Sequence, residues 1–257
     1  MPRTIVITGA SSGIGKALAA HYAVGGHTLG LIGRDSRRLY EVADACQARG
    51  ATVSTATIDV CNRDQLATWL AAFDARAPID LLVANAGIMG GLAPQTDLEQ
   101  PETSYTLFAT NVIGVLNTVH PMLPVMVRRG AGQIAILSSL AGLIPLPDAP
   151  SYAASKAAVL NFALSLRTLV YDKGVRVNVI CPGYVSTPMT AQEHGWKPFE
   201  MSAERAAMLI ARGLDRDKAV IAFPWLLAFL TRVGALLPEG VRRLTSQPFR
   251  FRVTQPD

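Results

Sequence analysis

Apolar residues along the chain fall into short, β-branched runs separated by longer stretches with helical spacing. The runs are Arg3 to Thr8, His27 to Ile32, Thr52 to Ile58, Ile79 to Ala84, Gln133 to Leu137, Val175 to Ile180 and Lys218 to Phe223. Each is short and mostly apolar, so each reads as a strand buried on both faces. Between them lie helices: Lys16 to Val24, a helix capped by Ser36 and running to about Arg49, and Asp64 to Ala75 with Trp69 and Phe73 turned inward. A long helix containing Asn111 and a helix carrying Tyr152 follow. Strand and helix alternate at the spacing of βαβ units. The pattern predicts an α/β fold, a doubly wound parallel sheet of about seven strands with helices on both faces, in one domain spanning 1–257.

With 50% hydrophobic residues in 257, the chain can bury a substantial core. The net charge of +5 is dispersed rather than gathered into a stripe, which argues against nucleic acid as a partner. Much of the excess lies in Arg242, Arg243, Arg250 and Arg252. A mild attraction to phosphorylated cofactors or an anionic membrane surface stays open. Cys46, Cys61 and Cys181 are widely spaced, with no CxxC and no Cys/His pattern. They read as free thiols of a reducing compartment, and no metal is expected. Thr4 to Ile7 runs straight into a glycine loop, which leaves no room for a separate signal-peptide core. No apolar run has the length of a membrane span. The expected location is the cytoplasm, with peripheral membrane contact as the alternative.

Gly9, Gly13 and Gly15 stand between the first strand and the first helix, with Ser11, Ser12 and Ile14 inside the loop. Small residues let the backbone approach a pyrophosphate, and the helix N-terminus offers unpaired N–H groups and a positive dipole. The spacing is Gly-x-x-x-Gly-x-Gly rather than the usual Gly-x-Gly-x-x-Gly. The end of the second strand selects the nucleotide. An NAD site carries an Asp or Glu there for the ribose 2′-hydroxyl. This chain has Gly33 followed by Arg34. A missing carboxylate removes repulsion against a 2′-phosphate, and an arginine can grip it in a charge-assisted pair. The pattern favours NADP(H) over NAD(H). In the competing arrangement Arg34 is a solvated loop charge and Asp35 takes the ribose. Arg37 and Arg38 read as exposed helix charges.

Tyr152 and Lys156 stand one helical turn apart, so their side chains share a face. Ser139 follows the strand ending at Leu137, which brings a hydroxyl, a phenol and an ammonium to one place. That trio suits proton transfer to and from an alcohol or carbonyl oxygen. A free phenol titrates near ~10, too high for a base at neutral pH. A neighbouring lysine charge is expected to stabilise the phenolate and lower that value.

In their order and spacing, several motifs resemble the short-chain dehydrogenase/reductase family. They are Thr8-Gly-Ala-Ser-Ser-Gly-Ile-Gly15, Asp59-Val60, Asn85-Ala86-Gly87, Asn111, Ser138-Ser139, Tyr152-x-x-x-Lys156, and Pro182-Gly183 with Thr187. The resemblance covers roughly residues 4–190 and implies a Rossmann-type fold. It implies Tyr152 as catalytic acid/base, with Lys156 lowering its pKa and holding the nicotinamide ribose. Ser139 would hydrogen-bond the substrate oxygen, and Asn111 would position a water in a proton relay. Asp59 and Val60 would contact adenine, and Asn85 to Gly87 would lie along the adenosine ribose. Pro182, Gly183, Val185 and Thr187 would meet the cofactor. The resemblance also implies hydride transfer between a nicotinamide and a carbonyl or secondary alcohol, and assembly as a homodimer or homotetramer.

Residues from about 188 to 204 read as a lid over the nicotinamide end. Its Trp196, Pro198, Phe199 and Met201, together with Leu140, Leu143, Ile144, Leu146 and Met189, point to an apolar substrate. The stretch 219–237 is the most apolar, and predicts an edge strand to Phe223 and a helix from about Trp225 to Leu237. Such a helix needs cover on several faces, from the fold, from a second subunit or from a membrane surface. Residues 245–257 read as a loose tail. The expected activity is NADP-dependent reduction or oxidation of a small carbonyl or alcohol. The alternatives are a membrane-surface lipid or sterol ketone reductase and a non-catalytic NADP-binding sensor.

Overall fold

In a computed structural model of the chain, the described residues are 3–245 and 250–254. Seven strands form one parallel sheet: β1 (Thr4–Thr8), β2 (Thr28–Gly33), β3 (Thr52–Thr57), β4 (Leu81–Ala84), β5 (Gly132–Leu137), β6 (Val175–Pro182) and β10 (Val220–Phe223). Their order across the sheet is β10-β6-β5-β4-β1-β2-β3. Consecutive βαβ crossovers thus run outward in both directions from β1, and the order reverses between β1 and β4. Ligand clefts of open α/β sheets form at such switch points, beyond the carboxyl ends of the strands.

The strand period of two divides the core. Ile5 and Ile7 of β1 face one layer, built with α1 (Gly13–Tyr22), α2 (Ser36–Gln47) and α8 (Ala203–Asp215). Val6 faces the other, built with α3 (Arg63–Arg76), α5 (Gly114–Val119) and α7 (Pro150–Leu169). Phe73 is buried as expected. Trp69 is half-buried and stacks on it at 5.0 Å. Gly30 makes room for the pair: a Cβ there would stand 2.9 Å from the Trp69 ring.

Several boundaries differ from the sequence reading. The cap of α2 is Asp35 rather than Ser36, its carboxylate accepting from the Arg38 amide. β6 runs through Pro182 instead of stopping at Ile180. Its neighbour β5 ends at Leu137, opposite Ile180, so the missing proline N–H costs no bond to that strand. The long helix around Asn111 is α4 (Pro101–Phe108), a π turn (Ala109–Ile113) and α5 in succession. Gly114 lets this helix pack closely, since a Cβ there would stand 2.6 Å from Val60 Cγ2. With α6 (Leu123–Arg129), the stretch Pro101–Arg129 has the length and mean hydropathy, 1.2, of a membrane-crossing helix. The sequence reading missed this because polar residues interrupt it. Half of its most apolar window is buried inside the protein.

Beyond β6 come the short strands β7 (Val185–Ser186), β8 (Glu193–His194) and β9 (Met201–Ser202). Helices α9 (Trp225–Ala235) and α10 (Glu239–Thr245) follow β10. The expected loose tail needs correction where it is described. Arg252–Val253 form β11, antiparallel to β8, and Phe251 and Val253 are buried. The rest of that tail, 246–249 and 255–257, lies outside the described residues.

Candidate active site

A cleft of about 620 Å³ opens over the carboxyl ends of the central strands. The loop after β1 forms one wall. Gly9 (φ 66°) and Gly13 (φ 53°) adopt left-handed backbone that favours glycine. Gly15 lets α1 approach β4, since a Cβ there would meet Asn85 Nδ2 at 2.6 Å. The Thr8 hydroxyl accepts from the Asn85 and Ala86 amides at 3.1 Å each, and Asn85 Nδ2 donates to the Thr8 carbonyl at 2.8 Å. These bonds lock the Asn85–Gly87 turn onto the glycine loop. Ser12 caps α1 without a side-chain cap bond, so its hydroxyl is not spent on the helix. A Cβ on Gly13 would stand 3.2 Å from Thr187, and one on Gly87 3.3 Å from Lys156 Nζ, so side chains at either would fill the cleft.

At the end of β2, Arg34 and Arg38 both line the cleft with Asp35. Arg34 Nη1 stands 3.5 Å from Asp59 Oδ2, a pair open to water. Asp35 is spoken for: it accepts from the Arg38 amide at 2.9 Å and from Arg38 Nε at 2.7 Å. Those two bonds hold its carboxyl below the usual range. Arg38 is an exposed helix charge as expected, and it also lines the cleft. Its position in the first turn behind an Asx cap was the available signal. Thr110, Ile58, Ile88 and Thr190 also line the cleft without having been singled out.

The other wall comes from β5, β6 and α7. Ser139 Oγ donates to the Pro182 carbonyl at 3.4 Å and accepts from the Ala141 amide at 3.1 Å. Ser138 is buried and donates to the Lys156 carbonyl at 2.7 Å, fastening α7 to the end of β5. Lys156 is 5% exposed; its Nζ donates to the Leu137 carbonyl at 3.2 Å and lies 5.8 Å from the Tyr152 ring centroid. Burial pushes this amine down to about 8. Burial likewise pushes the Tyr152 phenol up to about 12, against the Ser139 hydrogen bond, with Glu193 adding to the rise. Burial is the largest cause of the phenol's rise, and Lys156 is not among the groups that shift it. Asn111 is fully buried in the π turn, and such turns recur at functional sites. Its amide is consumed by the protein: Oδ1 accepts from Ile88 N at 2.8 Å, and Nδ2 donates to Ile88 O and Ser155 Oγ. It fixes the loop after Gly87 rather than facing open cleft.

Of the remaining expected residues, Ser11, Ile14, Asp59, Val60, Pro182, Gly183, Val185, Thr187 and Met189 all line the cleft. Leu143, Ile144 and Leu146 do not. They line a separate apolar pocket of about 720 Å³ with Ala153 and Ala157, and Leu140 is buried in the core. Trp196 and Phe199 of the lid segment are exposed, so neither supplies an apolar wall. The 190–194 stretch folds as a short 3₁₀ turn and β8, tied down by Lys197 Nζ on the Thr190 carbonyl. Glu193, on β8, is 5% exposed, and burial pushes its carboxyl up to about 7.

A glycine-lined helix N-terminus facing a Ser-Tyr-Lys cluster across a parallel-sheet switch point defines a nucleotide-dependent oxidoreductase. The short chain dehydrogenase family model matches residues 3–198, and the chain belongs to that family. An uncharacterised oxidoreductase of Myxococcus xanthus is 39% identical over 92% of this chain and 93% of its own length. A family structure from Burkholderia phymatum with NAD superposes at TM-score 0.82 with 25% identity, covering 99% of this chain and 97% of that one. One from Sphingobium yanoikuyae with NADPH superposes at 0.79 with 27% identity, covering 96% of each chain. A nicotinamide dinucleotide is thus the class of cofactor, and the cleft residues fit it: small at the loop, cationic at the end of β2, amine and phenol at the far end.

Proposed function

We propose that this chain is an NADP(H)-dependent reductase of a small carbonyl compound, with Tyr152 as the proton donor. The observation that carries the reading is the meeting of Ser139, Tyr152 and Lys156 at the end of the cleft opposite Arg34 and Arg38. The dinucleotide supplies hydride chemistry when bound. The glycine loop and the α1 N-terminus would take its pyrophosphate, Arg34 and Arg38 its 2′-phosphate, Asp59 and Val60 its adenine, and Asn85–Gly87 its adenosine ribose. Lys156 would hold the nicotinamide ribose, and the Pro182–Thr187 stretch would line the nicotinamide end. A phenol pushed up to about 12 is neutral at physiological pH. A neutral phenol there can give its proton to a carbonyl oxygen that Ser139 polarises, and the same group takes the proton back in the reverse reaction. Ile88 and Met189 supply apolar lining and support an apolar substituent on the substrate.

The test is NADPH consumption against aldehydes, ketones and diketones, with the parent and Tyr152→Phe side by side. Turnover in the parent should fall by roughly 10²- to 10⁴-fold in Tyr152→Phe while NADPH binding persists. Equal turnover in both would remove Tyr152 from the chemistry, and binding without any turnover would favour an NADP-binding sensor.

The exposed face of α9 supports assembly. Trp225, Phe229, Leu230 and Leu236 all stand more than half exposed there, and only Ala228 of that helix is buried. A face this apolar favours cover by a second copy of the chain. Light scattering at the mass of a dimer or tetramer supports that reading, whereas recovery in the membrane pellet supports a membrane-surface ketone reductase.

A further inference from the structure

The C-terminal stretch Arg250–Thr254 crosses the substrate end of the molecule as a strap. Three separate parts of the fold hold it. Val253 N donates to the Leu92 carbonyl at 2.9 Å, on the loop that follows β4. Thr254 N donates to the Gln192 carbonyl at 2.9 Å, and Arg252–Val253 pair with β8. The third anchor is Asp148, two residues before α7. Its carboxylate is 2% exposed and accepts from Arg250 Nε at 2.7 Å on both oxygens, from Arg252 Nη1 at 2.9 Å and from Phe251 N at 3.2 Å. Close approach is built in on two sides, since a Cβ on Gly91 would stand 3.1 Å from Val253 Cγ2, and one on Gly195 2.7 Å from Phe251 Cβ.

The strap's apolar side bears on the chemistry. Phe251, Val253 and Ala149 form a small buried cluster against which Tyr152, Met89 and Leu146 pack. One anchored segment therefore supplies two of the three members of the cluster that Tyr152 packs against, meets Ala149 at the start of its helix and pairs with the lid strand β8. A single buried carboxylate gathering two arginines is a strong latch. Only the carboxylate is buried, the Arg250 and Arg252 side chains keeping 50% and 31% exposure, so its neutralisation removes what holds them to the strap's anchor, and a tyrosine that must meet a reacting oxygen tolerates little displacement.

We propose that the strap Arg250–Thr254, latched on Asp148, positions Tyr152 for proton transfer and holds the 190–195 segment against the body of the enzyme. Asp148 and Val253 are thus positioning residues for the reaction, which rests on the reductase reading above. The latch acts through packing and hydrogen bonds, with no covalent step.

The experiment uses the full chain as Asp148→Asn, which keeps the volume and removes the charge, and as Val253→Ala, which leaves the latch and trims the cluster against which Tyr152 packs. Hydrogen exchange at the Phe251, Val253 and Thr254 amides reads the latch. The ¹³C-tyrosine resonance of Tyr152, assigned with Tyr152→Phe, reads its position without any substrate. Asp148→Asn should speed the three amides and move the resonance, and Val253→Ala should move the resonance alone. With an active ketone, kcat should fall on the order of tenfold or more in either variant while NADPH affinity holds. Unchanged amides in Asp148→Asn overturn the latch. An unmoved resonance or unchanged kcat in Val253→Ala overturns the positioning role, and this arm decides it should Asp148→Asn fail to fold. If the parent reduces no carbonyl, the reductase reading falls while exchange and resonance still decide the strap.

Discussion

Glu193 offers a test of the site's electrostatics that needs no substrate. It is 5% exposed on β8, opposite Val253, and burial pushes its carboxyl up to about 7, against Lys197 and with Glu200. An unfolded chain returns it to its ordinary value of 4.5. The native state thus holds a proton that the unfolded state releases between those two values. Stability from this group is full below pH 4.5 and is lost as pH rises through about 7. At roughly 1.4 kcal/mol per pH unit, the loss amounts to about 3 kcal/mol. Glu193→Gln keeps the shape and the hydrogen-bonding capacity of the neutral acid, and so abolishes the titration. The assay is thermal or urea unfolding of parent and variant at pH 4, 6 and 8. The two should be similar at pH 4, and by pH 8 the variant should lead by about 3 kcal/mol, or on the order of 10 °C in Tm. A difference that does not change with pH would refute the reasoning, and would mean that the carboxylate is solvated or paired in the folded protein.

Arg34→Ala should weaken NADPH by roughly 10- to 100-fold, the loss of one charge-assisted bond of about 1.5–3 kcal/mol, and leave NADH little changed. The present Arg34–Asp59 pair is exposed and contributes little to offset this; equal losses of both nucleotides by calorimetry would sink the 2′-phosphate assignment. Among the described residues the buried Tyr22 hydroxyl has no hydrogen-bond partner, so Tyr22→Phe should be neutral or stabilise by up to about 1 kcal/mol in urea unfolding. Gly15→Ala should cost about 3 kcal/mol, and it should weaken cofactor binding in a fluorescence titration, because the new methyl meets the Gly9 carbonyl oxygen of the glycine loop as well as Asn85 Nδ2.

The sequence by itself determined the parts of this protein whose causes are local. Short β-branched runs became the seven strands of the sheet, the central ones buried on both faces and the edge strands β3 and β10 only in part. Gly9 and Gly13 marked a loop that needs positive φ. Tyr152 and Lys156 shared a helix face by spacing alone, and the cleft gathers them with Ser139. Tertiary structure decided what depends on residues far apart in the chain. Arg38 lines the cleft beside Asp35, to which its Nε donates. Leu143, Ile144 and Leu146 went to a second pocket because α7 stands between. Asn111 spent its amide on Ile88, which no spacing rule connects to it. The tail became a strap because Asp148 is buried with two arginines more than a hundred residues away. The phenol and amine of the site moved by burial, a property of the assembled fold and not of the Tyr-x-x-x-Lys pattern. Backbone preference and periodicity act within a few residues and can be read along the chain; desolvation and ion pairing follow from which segments meet, and only the packed molecule fixes that.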